Sequence, residues 1–215
     1  MHDQQDRFLQ ALHTTPLVAT LHGLVVADAL AIGQALKKAG WHLIEVPLTA
    51  PQSYTSIERL ATTFPEMVVG AGMVMSMADV RNVRAAGGAM VVLPHMDAGV
   101  IRTARDLGMA CLPGVATPTE AVTALLAGAS ALQIFPVEMV PPATLKALHA
   151  MLPPSALLLP AGGVTLETMA DYLAAGANGF VIGAALYRPG DSAAAVAVAA
   201  GVFATALETA ASARL

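Results

Sequence analysis

Short apolar runs alternate with segments of helical period along almost the whole chain. Each apolar run predicts a buried strand, and each segment after it predicts a helix, usually followed by glycine before the next run. The predicted strands are Leu17–Leu21, His42–Pro47, Met67–Ala71, Ala89–Leu93, Ala110–Leu112, Ala131–Ile134, Leu157–Pro160 and Gly179–Ile182. The predicted helices begin at about Val26, Gln52, Met77, Ala98, Pro118, Pro142, Leu166 and Asp191.

Regular strand–helix units favour an α/β fold, a (β/α)8 TIM barrel. A doubly wound open sheet is the competing fold, but it rarely needs so many regular units. No linker, low-complexity tract or charge block divides the chain, so we predict a single domain over residues 1–215, with a short N-terminal helix before the first strand.

The composition limits which partners the protein can bind and in which cellular compartment we expect it. A hydrophobic share of 56% with 12% charged residues suits parallel strands covered by helices on both sides. The net charge of −4 gives no basic patch, so we expect no nucleic acid partner. The single cysteine fits a reducing cytoplasm, and the N-terminus does not resemble a signal peptide. We expect no membrane span, because the Ala/Val-rich segment Ala193–Ala206 is better explained as a packed helix.

In a barrel of this kind, chemistry takes place at the carboxyl ends of the strands. Glu45 is the only acidic residue inside any predicted strand. A buried carboxylate is costly, so it needs a partner or a task, and an apolar environment raises its pKa toward that of a general acid or base. The structural alternative is a carboxylate bonded to neighbouring strands at the barrel mouth.

Two histidines also stand at strand ends, His22 before Gly23 and His95 after Pro94. Either can titrate near neutrality and act as a base or nucleophile. Together with Glu45 they match the ligand types of a metal site with two histidines and one carboxylate, although the spacing forms no local motif. The alternative for each is a partly exposed loop histidine.

Glycines follow the last two strands, at Gly162-Gly163 and Gly183. Backbone N–H groups at such turns bind phosphate in many barrels, while tight turns alone also explain glycine. Met73 either makes the pocket apolar or packs under a loop. Cys111 lies in a buried strand without an evident base, which argues against a catalytic thiol.

Several stretches resemble a known family over most of the chain and in the same order. They are "LIEVPL" (43–48), "GAGMV" (70–74), "LPGVATPTEA" (112–121), "IFP" (134–136), "AGGVT" (161–165) and "GFVIGAALYRPG" (179–190). The chain resembles the 2-dehydro-3-deoxy-6-phosphogluconate aldolases, and more closely their 6-phosphogalactonate-specific relatives.

This resemblance implies a barrel, a homotrimer and no cofactor or metal. Family members cleave a phosphorylated 2-keto-3-deoxy sugar acid through a Schiff base on a strand-six lysine, while a strand-two glutamate moves protons. Glu45 matches that glutamate, and Gly162, Gly163 and Gly183 match the phosphate loops, where Ala184 is a further predicted phosphate-binding position. The implied pocket positions are Thr49, Ala50, Met73, Pro94, Pro113, Phe135 and Ala161.

Other pocket positions depart from the family pattern. The Schiff-base lysine is replaced by Gln133, the strand-three threonine by Met73, and a serine after strand eight by Ala184. Relatives of the galactonate type usually have arginine where His22 stands, and Asn-Ser-Pro where this chain has Thr49-Ala50-Pro51. These departures indicate a pocket selectively rewritten by evolution or by a designer, and less polar than its parent.

An amide nitrogen is not nucleophilic, so Gln133 cannot form a Schiff base. The other candidate amines are Lys37, Lys38 and Lys146, all on predicted helices. Aldol cleavage is therefore expected to be lost, which leaves three hypotheses for a small-molecule site. In the first, the chain is a family member inactive or crippled in aldol cleavage that binds a ligand or merely retains the scaffold. In the second, it is an enzyme using Glu45, His22 or His95 as base or nucleophile, with Gln133 as hydrogen-bond donor. In the third, it is a silenced scaffold or assembly component.

Overall fold

The computed structural model describes residues 3–212 and follows the predicted alternation. The strands are β1 Leu17–Thr20, β2 Leu43–Pro47, β3 Val68–Gly72, β4 Met90–Leu93, β5 Ala110–Val115, β6 Leu132–Ile134, β7 Leu158–Pro160 and β8 Phe180–Ile182. The helices are α1 Asp3–Thr14, α2 Ala29–Lys38, α3 Ser53–Thr63, α4 Met77–Ala85, α5 Ala98–Asp106, α6 Pro118–Ala127, α7 Pro142–Met151, α8 Leu166–Ala174 and α9 Ala193–Ser212.

All eight strands run parallel in the order β7-β6-β5-β4-β3-β2-β1-β8. A bridge between Ala161 and Val181 joins the segment after β7 to β8, and so brings the two edges together. The prediction of a (β/α)8 barrel is confirmed, and the open sheet is excluded because its edges stay apart.

Side chains of the strands divide into two apolar layers. One layer lies inside the barrel and includes Val18, Leu43 and Ala131. The other packs between the strands and the surrounding helices and includes Leu17, Ile44 and Leu132. Neighbours in sequence fall in opposite layers because side chains of a strand alternate between its two faces.

The helix starts explain where several strand–helix loops end. The side chain of Ser76 accepts a hydrogen bond from the N–H of Asp79, and Asp97 accepts from the N–H groups of Gly99 and Val100. Thr117 forms a capping box with Glu120 at the start of α6. These caps satisfy backbone donors that have no partner within the helix.

Two boundaries differ from the predictions by three positions, whereas the other predicted boundaries differ by two at most. Strand β5 continues through Pro113 and Gly114 to Val115, because its partners in β4 and β6 are long enough to pair with it. Helix α2 begins at Ala29, three positions after the predicted start at Val26, because residues 26–28 form a turn.

Helix α9 contains the Ala/Val-rich segment for which we expect packing and no membrane span. Its stretch Ala193–Ala210 has a mean hydropathy of 1.7, long and apolar enough to cross a membrane by length and composition alone. One face of the helix nevertheless packs on the barrel, with Phe203 buried against Trp41 and the indole N–H of Trp41 donating to Ala200 O at 3.1 Å.

Candidate active site

Three polar side chains form a layer inside the barrel near the carboxyl ends of the strands. Thr20, Glu45 and Gln133 each lie two residues beyond an interior apolar residue, which puts them on the inner face. They border a cavity of about 400 Å³. Its other lining residues are His22, Met73, Val92, Leu93, Pro94, Phe135, Ala161, Gly162, Gly163, Val164, Thr165, Val181, Gly183, Ala184, Ala185 and Arg188.

Glu45 is almost completely buried, with 4% of its surface exposed. The Thr20 hydroxyl donates to its Oε1 at 2.5 Å, whereas Oε2 is buried without a hydrogen-bond partner among the described residues. Burial raises the pKa of Glu45 to about 7, against a smaller lowering by the Thr20 hydrogen bond. The carboxyl can therefore both give and take a proton near neutral pH.

Gly72 makes room for this carboxyl on the neighbouring strand β3. A Cβ atom built on Gly72 would lie 1.5 Å from Oε2 of Glu45. Any other residue at this position would displace the carboxyl, so the buried position of Glu45 requires glycine at 72.

Gln133 lies on the opposite half of the barrel wall, on β6, and is 6% exposed. Its Nε2 is 3.5 Å from the carbonyl oxygen of Leu93, at the long limit of a hydrogen bond. The amide N–H groups therefore remain available to a stronger acceptor in the cavity.

None of the three lysines lines the cavity. Lys37 and Lys38 are exposed at the end of α2, where Lys37 pairs with Glu66, and Lys146 is exposed on α7. The cavity wall thus contains no lysine amine that could take the place of an amine at position 133.

The two predicted histidines occupy different environments. His22 lines the cavity mouth, and its ring lies against Gly183. A Cβ atom built on Gly183 would be 3.4 Å from Cδ2 of His22. Partial burial lowers the pKa of His22, which favours the neutral imidazole at pH 7. His95 does not line the cavity, and its Nδ1 is buried without a partner in the described chain.

The suggested metal site of His22, Glu45 and His95 has no counterpart in the structure. Within residues 3–212, no group of three or more His, Cys, Asp or Glu side chains gathers as a metal ion would require.

The rim beside β7 and β8 is made of glycine turns and one cation. Gly162 and Gly163 have φ angles of 76° and 81°, in the left-handed region that favours glycine. Gly183 and Ala184 lie on the adjacent rim, where the Nε–H of Arg188 donates to Ala184 O at 3.2 Å. This bond leaves the terminal guanidinium nitrogens free to meet an anion.

Met73 lines the cavity and is 39% exposed, with a φ of 55° that is uncommon for a residue with a side chain. It follows Gly72 directly, so the chain turns sharply where β3 reaches the cavity. Strained backbone of this kind is concentrated at functional sites.

The remaining predicted pocket residues are divided between the cavity and the surrounding protein. Pro94, Phe135 and Ala161 line the cavity. Thr49 is exposed and Ala50 and Pro113 are buried, all three outside the cavity wall. Cys111 is also buried, and burial raises the pKa of its thiol well above the ordinary value.

Sequence reasoning gave no site role to eight of the cavity-lining residues, and two of them, Thr20 and Arg188, bear on the chemistry. Thr20 was treated only as part of an apolar strand, although its spacing from Val18 places it on the inner face like Glu45. Arg188 lies within the quoted stretch 179–190 but was given no role, and its charge among apolar residues was the available signal.

A comparison of the sequence with family models decides the relationship. Residues 9–197 match the model of the family described as KDPG and KHG aldolase. The chain belongs to the KDPG and KHG aldolase family.

Individual members of this aldolase family agree with the assignment. The chain is 40% identical over 179 residues to a probable 2-dehydro-3-deoxy-6-phosphogalactonate aldolase of Rhizobium meliloti (strain 1021), covering 83% of this chain and 84% of the relative. It is also 40% identical over 178 residues to the 2-dehydro-3-deoxy-6-phosphogalactonate aldolase of Escherichia coli (strain K12), covering 82% and 87%.

Two solved structures have the same fold over most of this chain. A native KDPGal structure superimposes with a TM-score of 0.90 at 39% identity, covering 92% of this chain and 96% of that one. A cube-shaped, porous protein cage designed by fusing symmetric oligomeric domains gives a TM-score of 0.91 at 38% identity, covering 93% and 74%.

Proposed function

We propose that this aldolase-family barrel binds a phosphorylated 2-oxo acid without a Schiff base and transfers a proton at the carbon beside the carbonyl group. Glu45 carries this proposal, because it is a buried acid with a pKa of about 7 at the wall of a cavity. A group with this pKa serves as acid or base at neutral pH. Cleavage by the family's covalent route is lost in this view, since position 133 holds an amide.

The reaction step uses two groups on opposite parts of the cavity wall. The Glu45 carboxylate takes a proton from C3 of the 2-oxo acid, the C–H electron pair becomes the C2–C3 double bond, and the carbonyl oxygen becomes an enolate oxygen. The Gln133 amide donates a hydrogen bond to that oxygen, as an oxyanion-hole donor does. Reversal returns a proton from Glu45 to C3, so solvent hydrogen enters the ligand.

The glycine rim supports a phosphate on the same ligand. Backbone N–H groups at Gly162, Gly163 and Gly183 offer donors, and Arg188 adds a positive charge beside them. Inorganic phosphate should bind the purified protein, and Arg188→Gln should weaken it about tenfold in isothermal titration calorimetry. Arg102→Gln, on the exposed face of α5, is the matched control and should bind as the native protein does.

The altered pocket belongs to the same proposal. Met73 and Ala184 line the cavity where the family pattern has threonine and serine, and His22 stands where relatives carry arginine. With fewer polar donors, the site should bind the parent sugar acid weakly and prefer a smaller or less hydroxylated 2-oxo acid.

We also propose a homotrimer located in the cytoplasm, in line with the family resemblance. Analytical ultracentrifugation should give three times the mass of 21.9 kDa. A monomer at micromolar concentration would contradict this assembly.

Two measurements with pyruvate test the proposed chemistry. In D2O, the native protein should exchange the C3 hydrogens of pyruvate for deuterium, so the methyl signal in the proton NMR spectrum should decrease with time. Glu45→Gln should not catalyse this exchange. Borohydride reduction in the presence of pyruvate should leave the protein mass unchanged. A pyruvyl adduct would contradict the absence of a Schiff base, and exchange that survives in Glu45→Gln would remove Glu45 from the reaction.

A further inference from the structure

Thr20 and Glu45 face each other across the first two strands. The parallel register of β1 and β2 pairs these two residues directly, and both point into the barrel. They are 5% and 4% exposed, so water competes poorly for the hydrogen bond between them. Within residues 3–212, Thr20 provides the only hydrogen bond found to the Glu45 carboxyl.

This contact makes the two carboxyl oxygens different. A threonine hydroxyl has one hydrogen, and here that hydrogen is directed to Oε1. Oε1 therefore acts as an acceptor whether or not Glu45 is protonated, and any proton on the carboxyl resides on Oε2. The β-branched side chain of Thr20 has few rotamers, which keeps its hydroxyl in this direction.

We propose that Thr20 is a positioning residue that holds Oε1 of Glu45 and leaves the carboxyl proton on Oε2. This role rests on the proton transfer proposed above for Glu45. It goes beyond that proposal because it says which oxygen carries the proton and what holds the carboxyl in place, and it can be measured without any ligand.

No other charged group near Glu45 is hydrogen-bonded to it among the described residues, so the Thr20 contact can be changed by itself. On the strands paired with β2, Thr20 and Gly70 are the register partners of Glu45 and Gly72 lies against its carboxyl, and none of the three carries a charge. His22 and Arg188 are the other cavity-lining groups that can be charged, and neither is hydrogen-bonded to Glu45. A change at Thr20 should therefore act on Glu45 without altering another ion pair.

The test compares Thr20→Val with Thr20→Ser. Valine keeps the branched shape and removes the hydroxyl, whereas serine keeps the hydroxyl and removes the methyl group. The protonation of Glu45 is followed by its carboxyl C=O infrared band, assigned by difference from Glu45→Gln. Circular dichroism checks that each variant is folded, and Thr20→Ala replaces the valine variant if that one is not.

We expect Thr20→Val to raise the midpoint of Glu45 deprotonation by about one pH unit, because a hydrogen bond to the charged carboxylate favours that form. Exchange at C3 of pyruvate should fall about tenfold at pH values above both midpoints, where every carboxyl is ionised and only its orientation differs. Thr20→Ser should stay close to the native protein in both measurements.

An unchanged midpoint in Thr20→Val would overturn the role of Thr20, as would a serine variant that behaves like the valine variant. A native protein without C3 exchange would instead refute the proton transfer by Glu45. The infrared midpoint would still decide whether Thr20 holds the carboxyl, so the two failures are distinguishable.

Discussion

Replacing Glu45 by glutamine should remove a pH dependence from the stability of this protein. Burial raises the pKa of Glu45 from an ordinary value of 4.5 to about 7, so between these pH values the folded protein holds a proton that the unfolded chain has released. The free energy of unfolding must then decrease as pH rises through this range. Each unit of pKa difference corresponds to about 1.4 kcal/mol, so the full decrease is about 3 kcal/mol.

Glutamine is suited to this comparison because it is neutral at every pH and retains an oxygen that can accept from Thr20. Any constant cost of its amide near Gly72 shifts the whole curve and leaves the slope unchanged. The other carboxyls are common to both proteins, so the difference between the two curves isolates Glu45.

Urea denaturation at pH values from 4.5 to 8.5 provides the measurement. The native protein should lose about 3 kcal/mol more than Glu45→Gln on going from pH 4.5 to pH 8.5. Glu66→Gln is a control at an exposed carboxylate that pairs with Lys37, and it should retain the decrease seen in the native protein. Parallel curves for the native protein and Glu45→Gln would refute the raised pKa of Glu45.

Three further experiments test other parts of the protein. Gly72→Ala places a methyl group where Oε2 of Glu45 lies, so it should cost roughly 1–3 kcal/mol in urea denaturation, whereas Gly201→Ala, with nothing within 4 Å, should not destabilise. Gln133→Lys should give a borohydride-trapped pyruvyl adduct but little cleavage of the sugar acid, because other pocket residues remain changed; cleavage near that of active relatives would contradict a rewritten pocket. Cys111 should react with a thiol reagent only on unfolding, because its thiol is buried with a raised pKa, and rapid labelling of folded protein would disprove this.

The sequence predicted the barrel well because its strands are buried on both faces and appear as uninterrupted apolar runs. Glu45 and Gln133 were recognised because polar groups are conspicuous in such runs. Thr20 was missed because a β-branched residue is ordinary in a strand, and its importance depends on a register that pairs it with Glu45.

Loop geometry was harder to predict than strand positions. Arg188 lines the cavity with its side chain hydrogen-bonded to the carbonyl oxygen of Ala184, and sequence patterns do not predict that conformation. His95 was expected in the site because it follows a strand, yet its side chain is not part of the cavity wall. The end of a strand determines the backbone position of the next residue, whereas the conformation of the following loop determines the direction of its side chain.

The N-terminal helix has a consequence for how ligands come and go. Phe8, Ala11 and Leu12 of α1 pack into the same apolar interior as the barrel residues Val18 and Leu43. Within the described residues, α1 therefore covers the amino-terminal end of the barrel, and the cavity that borders Glu45 lies toward the opposite end. A ligand bound in the cavity blocks water from reaching Glu45. The carboxyl can therefore exchange its proton with solvent only after the ligand has dissociated. Residence time at the mouth should then limit turnover for tightly bound ligands, while weak ligands escape this limit.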